Sequence, residues 1–288
     1  MLALSFTLLA AIASAQTAST SNPRASMQQM LLPSHGSVLT GVFYLAGGAG
    51  PHPTAILLHG FPGYEQNLDL AQALRSNGWN VLAMHYRGSW GVKGDFSFQH
   101  CIEDTDTEVQ FILEPENVKK YRIDPLHVVA IGHSMGGYMA VSAAARNNRI
   151  AGAVLVSGWN IGADYQTRRH IGAGEPTLEN EAGSLGEEGN MTPLSGTSGM
   201  ALAREIRDHA AELNFNALAP AIASRPVLVI TSSDGLADVD HGFAVALHKA
   251  GNEEVREVHF DTDHAYSDKR WDLINSVLTW LRDTQRGH

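Results

Sequence analysis

Short apolar runs alternate with segments of helical periodicity from about residue 55 to the end of the chain. Residues 55–58 form a continuous apolar run, as expected for a strand that is buried on both faces. Further strands are predicted at residues 79–86, 127–131, 150–156, 227–231 and 255–260. Helices are predicted between and after them, at residues 68–75, 103–113, 135–146, 241–250 and 271–282. This alternation predicts an α/β fold, with a mainly parallel sheet and helices on both of its faces.

Two segments depart from this alternation. Residues 27–32 and 38–46 are predicted to form an N-terminal hairpin, because the turn sequence Pro33-Ser34-His35-Gly36 separates them. Between the predicted strands at 150–156 and 227–231, residues 161–223 contain no predicted strand. This insertion is rich in Gly, Glu and Ser over residues 172–199 and then amphipathic over 200–213. An insertion of this length indicates either a functional lid or a disordered excursion, and the amphipathic helix favours a small helical lid.

The first residues have the pattern of an export signal. An apolar run over residues 2–13 ends in Ala13-Ser14-Ala15, which is the small-x-small pattern of a signal-peptidase site. We therefore predict a signal peptide at residues 1–15, a disordered leader at 16–26 and the folded domain at 27–288, with export to the periplasm or the medium. The run has no Lys or Arg before it, and the alternative is an apolar arm that packs on the domain.

Composition and motifs exclude several classes of partner. The formal net charge of -10 argues against a nucleic-acid or anionic membrane partner. Cys101 is the only cysteine, so that no intramolecular disulfide can form. The chain has no H-E-x-x-H, no cysteine pair and no glycine-rich phosphate-binding motif. We therefore predict no metal, no cofactor, no nucleic acid and no stable membrane insertion, and we predict a small-molecule substrate.

The motif with the most chemical content is Gly132-His133-Ser134-Met135-Gly136, a G-x-S-x-G sequence. It lies between a predicted strand and a predicted helix, where a serine on a tight turn presents its hydroxyl at the edge of the sheet. The N-terminus of the following helix also favours negative charge that develops at this point. The motif therefore predicts Ser134 as a nucleophile. The alternative is a serine that caps a helix in a non-catalytic turn.

Three further segments lie where such a nucleophile needs help. They are His59-Gly60-Phe61-Pro62-Gly63 after the strand at 55–58, the run at 227–231 followed by Ser232-Ser233-Asp234, and Asp263-His264-Ala265-Tyr266 after the last predicted strand. With the G-x-S-x-G motif, these segments make nearly the whole chain similar to the α/β-hydrolase superfamily, and in particular to its esterase and serine-aminopeptidase branch. The order Ser, Asp, His along the chain agrees with that resemblance.

The resemblance implies a role for each segment. His264 would be the general base and Asp234 the acid that orients it, although Asp238 and Asp240 are rivals for the latter role. The backbone N–H groups of Phe61 and Met135 would form the oxyanion hole.

The substrate is less constrained. Trp90, Phe96 and Trp159 are candidates to line an apolar acyl pocket, but they are equally well explained as core residues. The function that we predict is a serine hydrolase that cleaves a carboxylic ester or amide through an acyl-enzyme, with an esterase preferred. The alternatives are an aminopeptidase-like peptidase that uses the same triad, and a catalytically silent member of the fold that binds a ligand.

Overall fold

The computed structural model describes residues 22–170 and 177–286. In this part of the chain, one eight-stranded sheet has the order β1-β2-β4-β3-β5-β6-β7-β8. The hairpin β1–β2 and the pair β2–β4 are antiparallel, and all other neighbouring strands are parallel. The mainly parallel sheet with an N-terminal hairpin is thereby confirmed. The strands are Ser26–Ser34 (β1), Ser37–Leu45 (β2), His52–Leu58 (β3), Asn80–Met84 (β4), Ile123–His133 (β5), Ile150–Val156 (β6), Val227–Ser232 (β7) and Val255–Phe260 (β8).

Helices cover both faces of the sheet. In β3, Ile56 and Leu58 belong to one buried apolar cluster, whereas Ala55 and Leu57 belong to a second cluster on the opposite face. Successive side chains of a strand point to opposite faces, so a continuous apolar run is the consequence of covering both. The helices are Leu68–Ser76 (α1), Phe98–Leu113 (α2), Pro115–Tyr121 (α3), Met135–Arg146 (α4), Ile161–His170 (α5), Leu178–Leu185 (α6), Glu188–Met191 (α7), Gly199–His209 (α8), Ala237–Lys249 (α9) and Arg270–Arg286 (α10), with a 3-10 helix at Phe215–Ile222.

The insertion at 161–223 contains more helix than the sequence predicts. Its helices α5, α6 and α7 and the 3-10 helix have no counterpart among the predicted elements, while α8 corresponds to the amphipathic stretch. The insertion is attached to segments that follow the carboxyl ends of strands. Tyr64 Oη donates to the Gly189 carbonyl oxygen at 2.8 Å, and Ser195 N donates to the Gly88 carbonyl oxygen at 2.8 Å. The predicted lid therefore has fixed attachments to the loops that follow β3 and β4.

The N-terminal predictions are reached only in part by the structure. The predicted signal peptide at 1–15 and most of the leader lie outside the described residues. The sequence assigns residues 22–26 to the disordered leader, and the structure corrects this assignment because residues in this range bond to the domain. The Pro23 carbonyl oxygen accepts from Gly48 N at 2.8 Å, and Ser26 already belongs to β1. A search of the described residues for helices with the length and apolar character of a membrane span found none.

Candidate active site

Ser134 lies on a tight turn between β5 and α4. Its backbone has φ 55° and ψ -122°, a conformation that a non-glycine residue adopts only at a strained turn. A Cβ on Gly132 would overlap the Gly136 carbonyl oxygen, and a Cβ on Gly136 would overlap the Leu58 carbonyl oxygen. The glycines of the G-x-S-x-G motif are thus required because three backbone segments meet at this turn.

The end of β6 and the residues after it form backbone hydrogen bonds with Ser134. Ser134 N donates to the Val156 carbonyl oxygen at 3.0 Å, and Trp159 N donates to the Ser134 carbonyl oxygen at 2.9 Å. The side chain of Ser134 lies at the N-terminus of α4, where the helix dipole stabilises negative charge. The backbone of the nucleophile candidate is therefore fixed by β6 as well as by its own turn.

Asp234 and His264 are brought together from the loops that follow β7 and β8. His264 Nδ1 lies 2.7 Å from Asp234 Oδ2, and Leu236 N donates to Asp234 Oδ1 at 2.9 Å. The carboxylate accepts the Nδ1 proton, which leaves the lone pair of Nε2 free to accept a proton. The Asp234 side chain is 5% exposed and that of His264 is 41% exposed. Burial opposes ionisation of Asp234, but the hydrogen bonds it accepts, first of all from His264, hold its pKa well below the usual range.

The two rival carboxylates lie elsewhere. Asp238 is exposed in the first turn of α9. Asp240 is fully buried, and its Oδ2 accepts from Gly158 N at 2.8 Å. Burial raises the pKa of Asp240 well above its usual value. Within the described ranges, neither carboxylate forms a hydrogen bond to His264.

His133 connects the Ser134 turn to the His264 loop. Its Nε2 donates to the His264 carbonyl oxygen at 2.8 Å, and the two imidazole rings lie 4.6 Å apart. Burial lowers the pKa of His133 to about 3, so that it is neutral at pH 7. The His133 ring therefore supports the His264 loop and holds it beside the Ser134 turn. The position next to Ser134 is the only signal of this role in the sequence.

The loop at 59–63 passes directly against Ser134. A Cβ on Gly60 would lie 2.8 Å from the Ser134 Cβ, so that only glycine fits this approach. His59 Nδ1 donates to the Gly60 carbonyl oxygen at 2.8 Å, and burial lowers the pKa of His59 to about 4. In the part of the chain that the structure describes, neither Phe61 N nor Met135 N donates to an acceptor in a turn or loop. Donors that are free beside a nucleophile are what an oxyanion hole requires.

Of the two predicted substrate-binding residues, Trp90 contacts the loop at 59–63. Its Nε1 donates to the Pro62 carbonyl oxygen at 2.7 Å, and its ring packs edge-on against Tyr64 with the centroids 5.2 Å apart. Trp159 instead belongs to an aromatic cluster beside Ser134. Its ring centroid is 5.7 Å from that of Phe98 and 6.3 Å from that of Phe61. The contribution of Phe61 and Phe98 was missed by the sequence analysis, because ring contacts between distant segments leave no local pattern.

No metal site accompanies these residues in the described ranges. A search of residues 22–170 and 177–286 found no group of three or more His, Cys, Asp or Glu side chains that could hold a metal ion.

Comparison with known proteins places this arrangement in context. A family model described as "Alpha/beta hydrolase family" matches residues 55–276. Among solved structures, Est1E from Butyrivibrio proteoclasticus with bound ferulic acid has a TM-score of 0.69 at 17% identity, over 89% of this chain and 99% of that chain. A fungal esterase from Rhizomucor miehei has a TM-score of 0.66 at 19% identity, over 93% and 87%. EstE1, a carboxylesterase from a metagenomic library, has a TM-score of 0.64 at 16% identity, over 92% and 91%.

The curated proteins contain no significant match to the sequence. At these identities, the likeness to the solved structures concerns the fold.

Proposed function

The chain belongs to the alpha/beta hydrolase family, and from that membership we propose that it is a serine hydrolase that cleaves carboxylic esters. Ser134 is the nucleophile, His264 the general base and Asp234 the acid that orients the base. The N–H groups of Phe61 and Met135 form the oxyanion hole.

One observation carries this proposal. The imidazole of His264 is held by Asp234 through Nδ1 at 2.7 Å, and its loop is held by His133, the neighbour of Ser134, at 2.8 Å. The pairing leaves Nε2 as the basic nitrogen, on a ring that is exposed enough to meet a substrate. A serine is a poor nucleophile unless such a base stands beside it. The strained turn at Ser134 is further support, since strain of this kind is concentrated at functional sites.

The proposed reaction proceeds in two halves. Ser134 Oγ attacks the ester carbonyl carbon while His264 Nε2 takes the hydroxyl proton, and the carbonyl oxygen becomes an oxyanion that accepts from Phe61 N and Met135 N. The intermediate collapses, His264 returns the proton to the departing alcohol, and the acyl group stays on Ser134. Water then attacks the acyl-enzyme by the same steps in the same order, which releases the acid and restores Ser134.

Esters are the preferred substrates on two grounds. The similar structures include a fungal esterase from Rhizomucor miehei and a metagenomic carboxylesterase, and Est1E has ferulic acid bound. The partly buried rings of Phe61 and Trp159, which pack on the fully buried Phe98, offer an apolar surface beside Ser134. Such a surface suits an apolar acyl group better than the amino terminus of a peptide.

A fluorophosphonate probe tests the proposal without a choice of substrate. We expect the wild type to be labelled and Ser134→Ala to be unlabelled. Ser142→Ala is the matched control, because Ser142 is a buried serine on α4 outside the site, and it should be labelled like the wild type. Labelling of Ser134→Ala, or no labelling of a folded wild type, would overturn the proposal.

A matched pair of chromogenic substrates then separates esterase from peptidase. We expect a p-nitrophenyl ester to be cleaved and the p-nitroanilide of the same acyl group to be cleaved much more slowly. Preferential cleavage of the anilide would make the peptidase assignment the better one.

A further inference from the structure

Three buried hydroxyl groups meet beneath the candidate triad. Ser157 Oγ lies 2.9 Å from Ser232 Oγ and 2.9 Å from Tyr266 Oη. All three side chains are fully buried. A buried polar cluster of this kind is costly unless its members satisfy one another, and here each hydroxyl has a partner. None of these residues takes part in the reaction proposed above.

The backbone at two of the three residues is strained. Ser157 has φ 44° and Tyr266 has φ 57°, and neither is a glycine. Both residues are held by Ile230, since Ser157 N donates to its carbonyl oxygen at 2.7 Å and Tyr266 Oη donates to the same oxygen at 3.2 Å. Strained residues persist only where the surrounding contacts over-determine them, and they concentrate at functional sites. The two unusual conformations therefore point to a function for this hydroxyl cluster.

Ser232 and Tyr266 belong to the segments that carry Asp234 and His264, and Ser157 belongs to the segment that binds the backbone of Ser134. Ser157 follows Val156, whose carbonyl oxygen holds Ser134 N. Ser232 is the last residue of β7 and precedes Asp234 by two residues, and Tyr266 follows His264 by two residues. The cluster thus joins the three loops that must be in register for catalysis. In addition, hydrogen bonds from the Ser157 and Ser232 hydroxyls help to lower the pKa of Asp234, against the effect of burial.

We propose that Ser157 is a positioning residue that, together with Ser232 and Tyr266, fixes the Asp234–His264 pair relative to the Ser134 turn. The role rests on the proposed function, because it concerns the orientation of the same triad. Tyr266 Oη donates to the Ile230 carbonyl oxygen, so that Ser157 Oγ donates to Tyr266 Oη and accepts from Ser232 Oγ. A carboxylate whose charge is stabilised by nearby hydroxyls attracts the His264 imidazolium less strongly.

Two variants separate the hydroxyl from the backbone strain. Ser157→Ala removes the hydroxyl and keeps a Cβ, whereas Ser157→Gly removes the hydroxyl and also relieves the positive φ. We expect both to lower kcat by roughly 3- to 10-fold, as the loss of one buried hydrogen bond implies, with KM within about 2-fold of the wild type. We also expect the acid limb of the pH–rate profile to move to higher pH, because Asp234 then stabilises the imidazolium more strongly. Tyr266→Phe should act in the same direction.

The pKa of the His264 ring, measured by NMR in each variant, is the decisive readout because it does not depend on turnover. Ser34→Ala is the matched control, since Ser34 is a buried serine that donates to Asp104 at 2.6 Å, away from the site. The proposal requires the His264 pKa to rise in Ser157→Gly and to stay constant in Ser34→Ala. Wild-type kcat and an unchanged His264 pKa in Ser157→Gly would overturn it while the serine-hydrolase proposal stood. An inert wild type would overturn the proposed function. If the pKa of His264 were also unchanged in Ser157→Gly, the positioning role would be overturned as well.

Discussion

Asp104 and Asp234 are two buried aspartates with opposite surroundings. Asp104 is fully buried on α2, and its Oδ1 accepts from Ser34 Oγ at 2.6 Å and from Arg87 Nε at 2.8 Å. Its Oδ2 accepts from Arg87 N at 2.7 Å. Arg87 is nearly as buried and also contacts Glu103 at 2.5 Å. The donors to Asp104 are thus a guanidinium, a backbone N–H and a hydroxyl.

Asp234 is paired with an imidazole instead of a guanidinium. Its principal partner is His264, whose side chain is 41% exposed and carries a second ring nitrogen. The Asp104 centre joins Arg87, which follows β4, to α2, and it has a structural role. The Asp234 centre keeps an uncompensated charge that becomes useful when His264 takes a proton. Burial and short hydrogen bonds are thus shared by both aspartates and do not distinguish them. Only Asp234 is paired with a side chain that can gain a proton, and this difference is the basis for assigning it as the acid.

The largest expected effect is a pair of opposite outcomes at these two aspartates. Asp234→Asn should lower kcat by on the order of 10⁴-fold, because the amide presents the wrong donor to His264, with little change in Tm. Asp104→Asn should leave activity per folded molecule within a few fold and lower the free energy of unfolding by about 3 kcal/mol, because the buried Arg87 then loses its fully buried partner and keeps only the partly exposed Glu103. Ester hydrolysis and urea unfolding of both variants measure the two effects.

Asp238→Asn is the control for the assignment of the acid. Asp238 is exposed, and we expect its amide variant to resemble the wild type in both measurements. A large loss of kcat in Asp238→Asn, with little loss in Asp234→Asn, would reassign the acid.

The parts of this site that the sequence predicts are those with a local pattern. The G-x-S-x-G turn, the acid after β7 and the histidine after β8 each follow a recognisable strand, and the structure has strands at these places. The start of α2 at Phe98 was missed, although Ser97 caps it by accepting from His100 N. Pro115 was interpreted as the end of a helix, but it also begins α3, where a proline at the first position is tolerated.

Contacts between distant segments could not be predicted in the same way. The bond from His133 to the His264 carbonyl oxygen spans 131 residues, and that between the Ser157 and Tyr266 hydroxyls spans 109. No periodicity records such pairs, because they are fixed by the register of the sheet. The helices α6 and α7 of the insertion were missed for a different reason, since the Gly, Glu and Ser content of residues 172–199 is typical of loops.

A second prediction concerns the buried His133, whose ring lies beside that of His264. The pKa of His133 is lowered to about 3 by burial, whereas a histidine in the unfolded chain titrates near its usual value of about 6.5. Between these pH values the unfolded state binds the extra proton, so His133 favours folding above pH ~6.5 and loses this contribution as the pH falls toward 3. We expect His133→Gln to reduce the slope of unfolding free energy against pH by about 1.4 kcal/mol per unit between pH 6 and 4. Urea unfolding at several pH values measures the slope.

His241→Gln is the control for that slope. His241 is exposed and is paired with Glu257, which raises its pKa, and solvent screens this interaction. We therefore expect a far smaller change in slope, of the opposite sign. Equal slopes for the wild type and His133→Gln would contradict the neutral state that we assign to the buried ring.

The smallest expected effect concerns Trp90, which contacts the backbone of the loop at 59–63, to which we assign one oxyanion-hole donor. Trp90→Phe keeps an aromatic ring and loses the bond from Nε1 to the Pro62 carbonyl oxygen. The loss of one such bond should lower kcat by roughly 5-fold, because Phe61 N is then less firmly directed at the oxyanion, and KM should not change. Trp271→Phe is the control, since Trp271 is 76% exposed on α10, and its kinetics should equal those of the wild type. A rise confined to KM in Trp90→Phe would instead make the indole a substrate contact, because a group that binds substrate and transition state equally changes KM alone.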